Sequence, residues 1–573
     1  MRRAVCALAL GTLLLGAAPA LAIEPPGARP SLPGAAEAPS AVPPRLSERE
    51  AVARLLAVPK VAGWLERYPP HPQTAAELDP VRRRWTVHVW SGRAGEVARG
   101  TVVDLTGEVL EAWTGPQVAW RMARGERGAF GGRTLARWPV WGALCAIFAI
   151  GLVDPRRLRS LRTLDVVALL AFTVSLAFFD RGEVFRSVPL AYPPLAYLLA
   201  RTLWIGLRGR RDPAPRVAWP ALALLAAAVF LAGFRIGLNV REHRGVIDVG
   251  YAGVIGADRL LHGQAPYGHM PVEGSLRPCG PADASGEIRL RVQTNGRCES
   301  ANPFGDTYGP AAYLAYVPAV AAFGWSGRWD TLPAAHAAAI AFDLLAAIGL
   351  GLVGLRFGGR ALAALLVFAW EAYPFTAYAL VSSTNDALMP ALLVWGFWLC
   401  TSPWARGAAV AAAGWTKFAA LAAAPLWLGY RLSPGAVLRA AAAFALATVA
   451  LFSVLLLEPS LSGAVRAFWH RTLGFQISRH SPFSLWDWGQ YRARGIPDLH
   501  LLQVVLEVGV LVLSAALAFV PRRKGPLELA ALTAALLAAV QLVLTHWFYL
   551  YLPWLLPFAL LALLLPRTSR APA

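Results

Sequence analysis

Charged residues, and lysine above all, are scarce in this chain. Only 15% of its 573 residues are charged, and three of the positive residues are lysines, Lys60, Lys417 and Lys524. With 56% hydrophobic residues, the sequence contains repeated apolar runs of about 17 to 25 residues, the length that crosses a bilayer. A net charge of +20 can indicate nucleic-acid binding. Here the arginines lie in short clusters between apolar runs, so they indicate membrane topology instead of a nucleic-acid partner.

The amino terminus has the three parts of a secretory signal. Residues 1–22, MRRAVCALALGTLLLGAAPALA, combine a basic start, an apolar stretch and a small-x-small ending. An uncleaved anchor remains the alternative, and either reading places the next segment outside the cytoplasm. Residues 23–45 are rich in proline and alanine, which predicts a disordered linker.

Residues 46–133 have the pattern of a small soluble domain. Ser47 and Glu50 form a capping-box pattern before apolar residues at helical spacing. The following RWTVHVWSGRAGEVARGTVVDLTGEVLEAW alternates as strands do, with two glycine-containing turns. The VVDLTGEVLEAW hairpin resembles the PepSY domains found outside bacterial membranes. No catalytic set of residues occurs here, so we expect an extracytoplasmic α+β domain that binds or regulates.

The rest of the chain predicts a polytopic α-helical membrane domain over residues 138–566, with about 12–13 transmembrane helices. The basic loops DPRRLRSLR, RGRRDPAPR and PRRKG should be cytoplasmic. Loops 240–308 and 458–499 then lie outside. The sequence RFGGR at 356–360 does not fit simple counting, so one crossing between 309 and 400 is either miscounted or re-entrant. The expected spans are 138–153, 164–180, 188–207, 217–239, 310–325, 333–355, 361–379, 382–400, 407–430, 435–457, 500–520, 527–545 and 549–566.

Two of the five cysteines fall in the first outer loop. Cys279 and Cys298 share a compartment that is oxidising if the predicted topology holds, so they are expected to form a disulfide. A zinc-binding pair is the alternative, but His and Asp residues at metal-ligand spacing are missing. We therefore predict no metal site.

The same outer loop resembles a known enzyme family. DVGYAGVIGADRLLHGQAPYG followed by DTYGPAAYLAYVP is similar to the first outer loop of the polyprenyl-phosphate-sugar-dependent glycosyltransferases of the GT-C fold. The likeness is to family 87 in particular, which includes bacterial mannosyltransferases. Its loop has an Asp, an interfacial helix, a Leu-x-Gly-x-x-Pro-Tyr segment and a Tyr-Pro-Pro-like entry into the next span. These correspond to Asp248, Leu261 to Tyr267, and Tyr308-Gly309-Pro310, where Gly309 departs from the usual proline.

Three downstream segments continue this resemblance. SSTNDALMPALLVWGFW resembles the family's polar segment before a span, AAAGWTKFAALAAAPLWL its lysine-containing helix, and SRHSPFSLWDW its late outer loop. The likeness covers roughly residues 217 to 566. It implies a GT-C-like fold for the membrane domain.

The chemistry of such a transfer suggests roles for the acidic residues. Moving a sugar from a lipid phosphate requires a base for the acceptor hydroxyl and stabilisation of the departing phosphate. Asp248, at the outer edge of the fourth span, is the candidate general base; a helix cap or a solvated charge is the alternative. Asp258 is expected to form a surface ion pair with Arg259. Asp306 is a candidate for acceptor binding.

Cations and polar side chains supply the remaining candidates. Lys417 lies in an apolar segment, where an ammonium group must be paired or line a polar cavity. It is a candidate phosphate ligand; the alternative is snorkelling to an interface or pairing with a membrane carboxylate such as Asp343 or Glu371. Three further residues suit the donor phosphate, namely Arg471, Arg479 and His480, although an interfacial aromatic belt explains the composition of their loop equally well. The candidates for binding the acceptor or the sugar are Asp306, Tyr308, Asn385 and Asp386.

These expectations describe an inverting enzyme without cofactors in the inner membrane of a bacterium. By the resemblance, it transfers a sugar, mannose in particular, from a polyprenyl phosphate to a lipid or glycan acceptor among membrane lipids. No Gly-rich dinucleotide loop or clear Asp-x-Asp motif indicates a nucleotide-sugar donor. Two alternatives remain open. One is a transporter or flippase whose pathway includes Asp343, Glu371 and Lys417, and the other is a non-catalytic envelope protein.

Overall fold

A computed structural model describes most of the chain from residue 43 onward. The described residues are 43–125, 130–209, 217–242, 245–272, 275–281, 288, 290–294, 296–328 and 332–566. The predicted signal at 1–22 and nearly all of the predicted linker at 23–45 lie outside them.

The first described unit packs two helices on an antiparallel sheet. The capping box predicted at Ser47 is present, with the Ser47 side chain accepting from the Glu50 N–H and the Glu50 carboxylate accepting from the Ser47 N–H. Asp104, in the turn after β3, is fully buried and accepts hydrogen bonds from the Leu46 N–H and the Trp85 indole. The turn therefore ties the sheet to the start of the first helix. The elements are α1 (Glu48–Leu56), α2 (Pro59–Leu65), β1 (Gln73–Asp79), β2 (Arg84–Trp90), β3 (Glu96–Val103) and β4 (Val109–Thr114), in sheet order β1-β2-β3-β4.

The sheet ends at Thr114, and the chain then joins the helical part of the molecule through α3 (Pro116–Ala119) and α4 (Gly132–Leu135). Within the described residues, six helices are long and apolar enough to cross a membrane, which fits a polytopic helical membrane protein. Many of their large apolar side chains are exposed, as expected for surfaces that face lipid. The six are α6 (Leu161–Phe179), α8 (Ala221–Arg241), α11 (Pro333–Ala372), α16 (Pro434–Phe452, extended by a 3₁₀ turn to Leu457), α19 (His500–Phe519) and α20 (Pro526–Val543).

The remaining helices are shorter or carry internal prolines. They are α5 (Trp138–Leu152), α7 (Val184–Arg208), α9 (Asp248–Leu261), α10 (Pro310–Phe323), α12 (Pro374–Val381), α13 (Leu388–Trp398), α14 (Pro403–Gly414), α15 (Ala424–Leu428), α17 (Leu461–Trp469), α18 (Phe475–Ser478) and α21 (Leu552–Leu564).

Two predicted spans are interrupted in the structure. The span expected at 407–430 is broken between α14 and a 3₁₀ helix, Phe418–Ala423, and Lys417 lies at the break with an extended backbone. The span expected at 382–400 is helical only over α13, because residues 382–387 form a turn in which Ser383 has a φ of 51°. At both interruptions, backbone and side-chain polar groups are available to line a polar site. A membrane domain tolerates irregular backbone in such a setting.

RFGGR is a hairpin turn inside α11. Gly359 has a φ of 74°, which glycine adopts without strain. The helices on either side fold back on each other, since a Cβ at Gly354 would lie 2.3 Å from the Cα of Ala363. The two apolar runs predicted at 333–355 and 361–379 are therefore neighbouring antiparallel helices.

Helix α9 packs closely because glycine recurs on one of its faces. Hypothetical Cβ atoms at Gly253 and Gly256 would lie 2.4 Å and 2.1 Å from the rings of Tyr316 and Tyr313. One at Gly250 would lie 2.5 Å from the carbonyl oxygen of Ser383. The glycine-rich start of DVGYAGVIGADRLL thus lets α9 approach α10 and the 382–387 turn at backbone distance.

The loop after α9 is held by a disulfide and a buried ionic network. The predicted bond between Cys279 and Cys298 is present, with a Cα–Cα distance of 6.0 Å. Within the described residues it joins the outer strands of a small antiparallel sheet, in the order β5 (Pro278–Cys279), β6 (Leu290–Val292) and β7 (Cys298–Ser300).

The predicted ion pair between Asp258 and Arg259 is present at 3.7 Å, but its expected surface position was wrong, because both residues are buried. The Asp258 carboxylate lies 2.6 Å from Arg297, and Arg259 lies 2.9 Å from Glu299. Because Arg297 and Glu299 flank Cys298, these pairs fasten α9 to the disulfide-bonded sheet, a contact that sequence spacing along one helix could not reveal.

Candidate functional site

Asp248 occupies the first turn of α9. Its carboxylate accepts the N–H of Val249 at 3.0 Å, while the N-cap position belongs to Ile247. The residue is accessible to solvent, yet it lies deep enough that burial raises the pKa of its carboxyl group. From this combination of accessibility and desolvation we infer that Asp248 lines a cleft instead of the outer surface. We call this space the Asp248 cleft.

Two cations act on this carboxylate. The charges of Arg479 and then Lys417 oppose the effect of burial on the pKa of Asp248, whereas the negative charge of Asp386 reinforces it. Arg479 comes from the late loop, and Lys417 comes from the break after α14. Three distant parts of the chain therefore bring a carboxylate and two cations together, an arrangement suited to proton transfer beside an anion.

Lys417 is held in a cage of aromatic and acidic groups. Its Nζ lies 3.1 Å from the Asp386 Oδ1 and 4.6 Å from the centre of the Tyr308 ring. The Nζ also lies 5.6 Å from the centre of the Trp554 ring, whose indole N–H donates to the same Asp386 oxygen at 2.9 Å. Lys417 is thus paired with a carboxylate, as the alternative expected, but the partner is Asp386 and not Asp343 or Glu371.

Asn385 and Asp386 have unused hydrogen-bonding capacity. Within the described residues, both polar atoms of the Asn385 amide and the second oxygen of Asp386 are buried without a partner. Leaving such a group unpaired costs about 1–3 kcal/mol. The turn before α13 is therefore suited to a polar ligand such as a sugar hydroxyl.

His546, which the sequence did not single out, positions Arg479. The Arg479 guanidinium lies 3.2 Å from the Nε2 of His546. A guanidinium can only donate, so Nε2 accepts, and Nδ1 carries the proton toward the Ser481 hydroxyl at 2.9 Å. Burial, and then the charges of Arg479 and Lys417, hold the pKa of His546 well below its usual value. A neutral imidazole therefore orients the guanidinium without competing for an anion.

The amino-terminal part of the chain reaches the same place. The Trp120 ring lies 6.2 Å from the His546 ring and 5.5 Å from the Phe483 ring. Nearby, the backbone N–H of Gly131 donates to the Ser382 hydroxyl at 2.7 Å. The sequence of residues 46–133 shows no catalytic set of residues. Their last part, beyond the sheet, packs against the site.

The predicted phosphate-binding set divides in the structure. Lys417 and Arg479 belong to the Asp248 cleft, whereas Arg471 lies 3.4 Å from Asp306 beside a separate cavity. His480 belongs to neither place, because its 74% exposed side chain lies 3.1 Å from Asp487. Asp487 also accepts the Ser481 N–H at 2.6 Å and thereby closes the turn. Among the described residues, no cluster of three or more His, Cys, Asp and Glu side chains is arranged to hold a metal ion.

The membrane carboxylates Asp343 and Glu371 pair with a residue that the sequence reading missed. Arg235 on α8 lies 2.5 Å from Asp343 and 2.8 Å from Glu371, and all three are buried. The isolated arginine in the apolar run FLAGFRIGLNV was the signal available, since an ionisable residue inside a span requires a partner. These carboxylates lie in a closed ionic network, separate from Lys417.

Comparison with protein-family models, with curated proteins and with solved structures finds no match for this chain. The resemblance to family 87 therefore rests on the quoted motifs. The structure adds that five segments carrying them contribute to one cleft, through Asp248, Tyr308, Asp386, Lys417 and Arg479.

Proposed function

We propose that this protein is a membrane glycosyltransferase that moves a sugar from a polyprenyl phosphate to an acceptor hydroxyl on the extracytoplasmic face. One observation carries the proposal. Asp248 is an accessible carboxylate at depth, and the cations Lys417 and Arg479 act on it within the same cleft. This combination supplies a base for the acceptor and positive charge for the leaving group.

In the proposed reaction the acceptor oxygen attacks the anomeric carbon from the side opposite the phosphate. The acceptor proton passes to Asp248 as the new C–O bond forms. The bond from the anomeric carbon to the phosphate oxygen breaks, and its electron pair leaves with the polyprenyl phosphate. One attack from the opposite face inverts the anomeric configuration.

The cations have separate tasks in this mechanism. Arg479 is held by His546 and offers several donors in one plane, a geometry that matches phosphate oxygens. Lys417 is a point charge restrained by Asp386 and by the Tyr308 and Trp554 rings. The unpartnered amide of Asn385 and the free oxygen of Asp386 would bind hydroxyls of the transferred sugar.

The direct test replaces Asp248 by asparagine, which keeps the shape but cannot accept a proton at working pH. We expect Asp248→Asn to lower turnover by a factor on the order of 100 to 10,000, while the amount of folded protein and donor binding stay close to the parent. The assay follows sugar release from a polyprenyl-phosphate sugar in nanodiscs, beside a direct donor-binding measurement.

Asp498→Asn is the matched control. Asp498 is exposed and accepts the N–H of His500 at the start of α19, a bond that asparagine also makes. Asp258 does not serve this purpose, because its buried ion pairs make it structural. Equal, mild effects of Asp248→Asn and Asp498→Asn would remove Asp248 from the mechanism. Mass spectrometry of lipid-linked glycans from a deletion strain and its parent would identify the product.

A further inference from the structure

A second cavity lies beside the Asp248 cleft, between the segment that precedes α10 and the late loop. Its volume is about 240 Å³. Phe304, Asp306 and Thr307 form one wall, and His470, Arg471 and Phe475 contribute to the other. The volume of the cavity is below the roughly 300–1,000 Å³ of pockets for drug-sized ligands. The cavity therefore suits a single small ring.

The second wall includes a departure from regular helix. Residues His470–Gly474 form a π-helical turn between α17 and α18. Such turns are rare and occur frequently at functional sites, because the widened turn displaces side chains from the α-helical positions. Here the turn contributes His470, Arg471 and Gly474 to the cavity wall.

Asp306 and Arg471 give the cavity a balanced charge. Asp306 is 1% exposed, and its Oδ2 accepts the Gly268 N–H at 2.8 Å and lies 3.4 Å from the Arg471 Nε. Within the described residues, the other carboxylate oxygen has no hydrogen-bond partner. The Asp306 carboxylate disfavours an anionic ligand and the Arg471 guanidinium a cationic one, so the pair favours a neutral molecule with several hydroxyl groups.

Two phenylalanines add an apolar face. The rings of Phe304 and Phe475 stack with centroids 5.3 Å apart, and Phe304 is 61% exposed. A pyranose ring has one face of C–H groups and an edge of hydroxyls. An exposed aromatic ring beside a carboxylate and a guanidinium matches both parts of such a ring.

The position of the cavity relates it to the cleft. Asp306 precedes Tyr308 by two residues, and the Tyr308 ring covers Lys417 in the Asp248 cleft. We propose that this cavity binds a neutral saccharide ring of the acceptor, so that the acceptor is a glycan and not a simple lipid alcohol. The assignment of this ring to the acceptor rests on the proposed transferase function. The binding of a saccharide in the cavity is independent of that function.

Binding is tested first, with methyl glycosides of glucose, galactose and mannose as probes. Saturation-transfer NMR on the full chain in nanodiscs should detect at least one of them bound to the parent and to Asp248→Asn. Phe304→Ala and Arg471→Gln alter partly or largely exposed side chains, and each should weaken binding at least about fivefold. Phe323→Ala, at an aromatic residue that is 58% exposed elsewhere, should not.

Transfer is tested with the same variants. For a saccharide acceptor, Phe304→Ala should raise KM at least about fivefold and leave donor hydrolysis by water unchanged. Binding of inorganic phosphate in competition with the glycosides, or no glycoside binding at all, would overturn the inference. If the parent turns over no polyprenyl-phosphate sugar yet binds glycosides through Phe304, the transferase proposal fails and the saccharide site stands.

Discussion

The buried network around Arg235 gives a prediction that does not depend on any assumed activity. Arg235 is fully enclosed and joins α8 to both halves of α11. Its guanidinium contacts Asp343 at 2.5 Å and Glu371 at 2.8 Å, and it also donates to the backbone oxygen of Trp370 at 3.0 Å. Arg235→Met keeps a long side chain but removes the charge and every one of these donors.

The expected cost follows from these contacts. Removing one partner of a buried ion pair costs about 3–5 kcal/mol, because the remaining charge stays buried without compensation. Here one substitution leaves two carboxylates, and within the described part of the chain only Asp343 keeps another donor, the Trp370 indole at 2.9 Å. We therefore expect a loss of at least about 3 kcal/mol, a large share of the roughly 5–15 kcal/mol that stabilises a typical domain.

Reversible unfolding in mixed micelles of a mild detergent and dodecyl sulfate measures this loss. The triple variant Arg235→Met, Asp343→Asn, Glu371→Gln removes all three charges and should recover most of the stability, since no unpaired charge remains. A change within about 1 kcal/mol for Arg235→Met, or a triple variant no more stable than the single one, would refute the reasoning. A small loss for Arg235→Met would also be expected if water reached the Asp343 and Glu371 carboxylates, as it would in a transport pathway.

The other predictions concern the cleft, the loop and the amino-terminal unit. Arg479→Gln removes a charge that lowers the pKa of Asp248, so that pKa rises and the acid limb of the kcat/KM profile moves to higher pH; an unmoved limb contradicts this coupling. A membrane-impermeant maleimide should label Cys279 and Cys298 of intact cells only after reduction, and ready labelling before it argues against the disulfide. Deleting residues 46–113 stops short of the segment that contacts the cleft, so insertion and some turnover should survive; complete loss in a folded truncation would show that the sheet helps to build the site.

Local sequence patterns were sufficient for several elements. The capping box at Ser47 depends on residues one turn apart, and the structure has it. The disulfide was predictable from two cysteines in one loop. The apolar runs were visible because bilayer thickness sets their length. Where the runs are interrupted by polar residues, as at Lys417, hydropathy gave a continuous span and the structure has a break.

The pairing of charges was beyond the reach of those patterns. Asp258 was assigned to its neighbour Arg259 because residues close in sequence are easily paired by eye, but its nearest cation, Arg297, lies on the other side of a folded loop. His546 was overlooked because its role depends on Arg479, far away in the chain.

The sequence alone determined that the chain is hydrophobic enough for many membrane-inserted helices, that a small α+β unit precedes them, and that Asp248 follows a span. These properties depend on composition and short-range periodicity. Only the tertiary structure decided which cations act on Asp248, that Lys417 pairs with Asp386, and that Arg471 and Asp306 border a different cavity. Such contacts join residues tens to hundreds of positions apart, and they are selected by helix packing and by the cost of burying an unpaired charge.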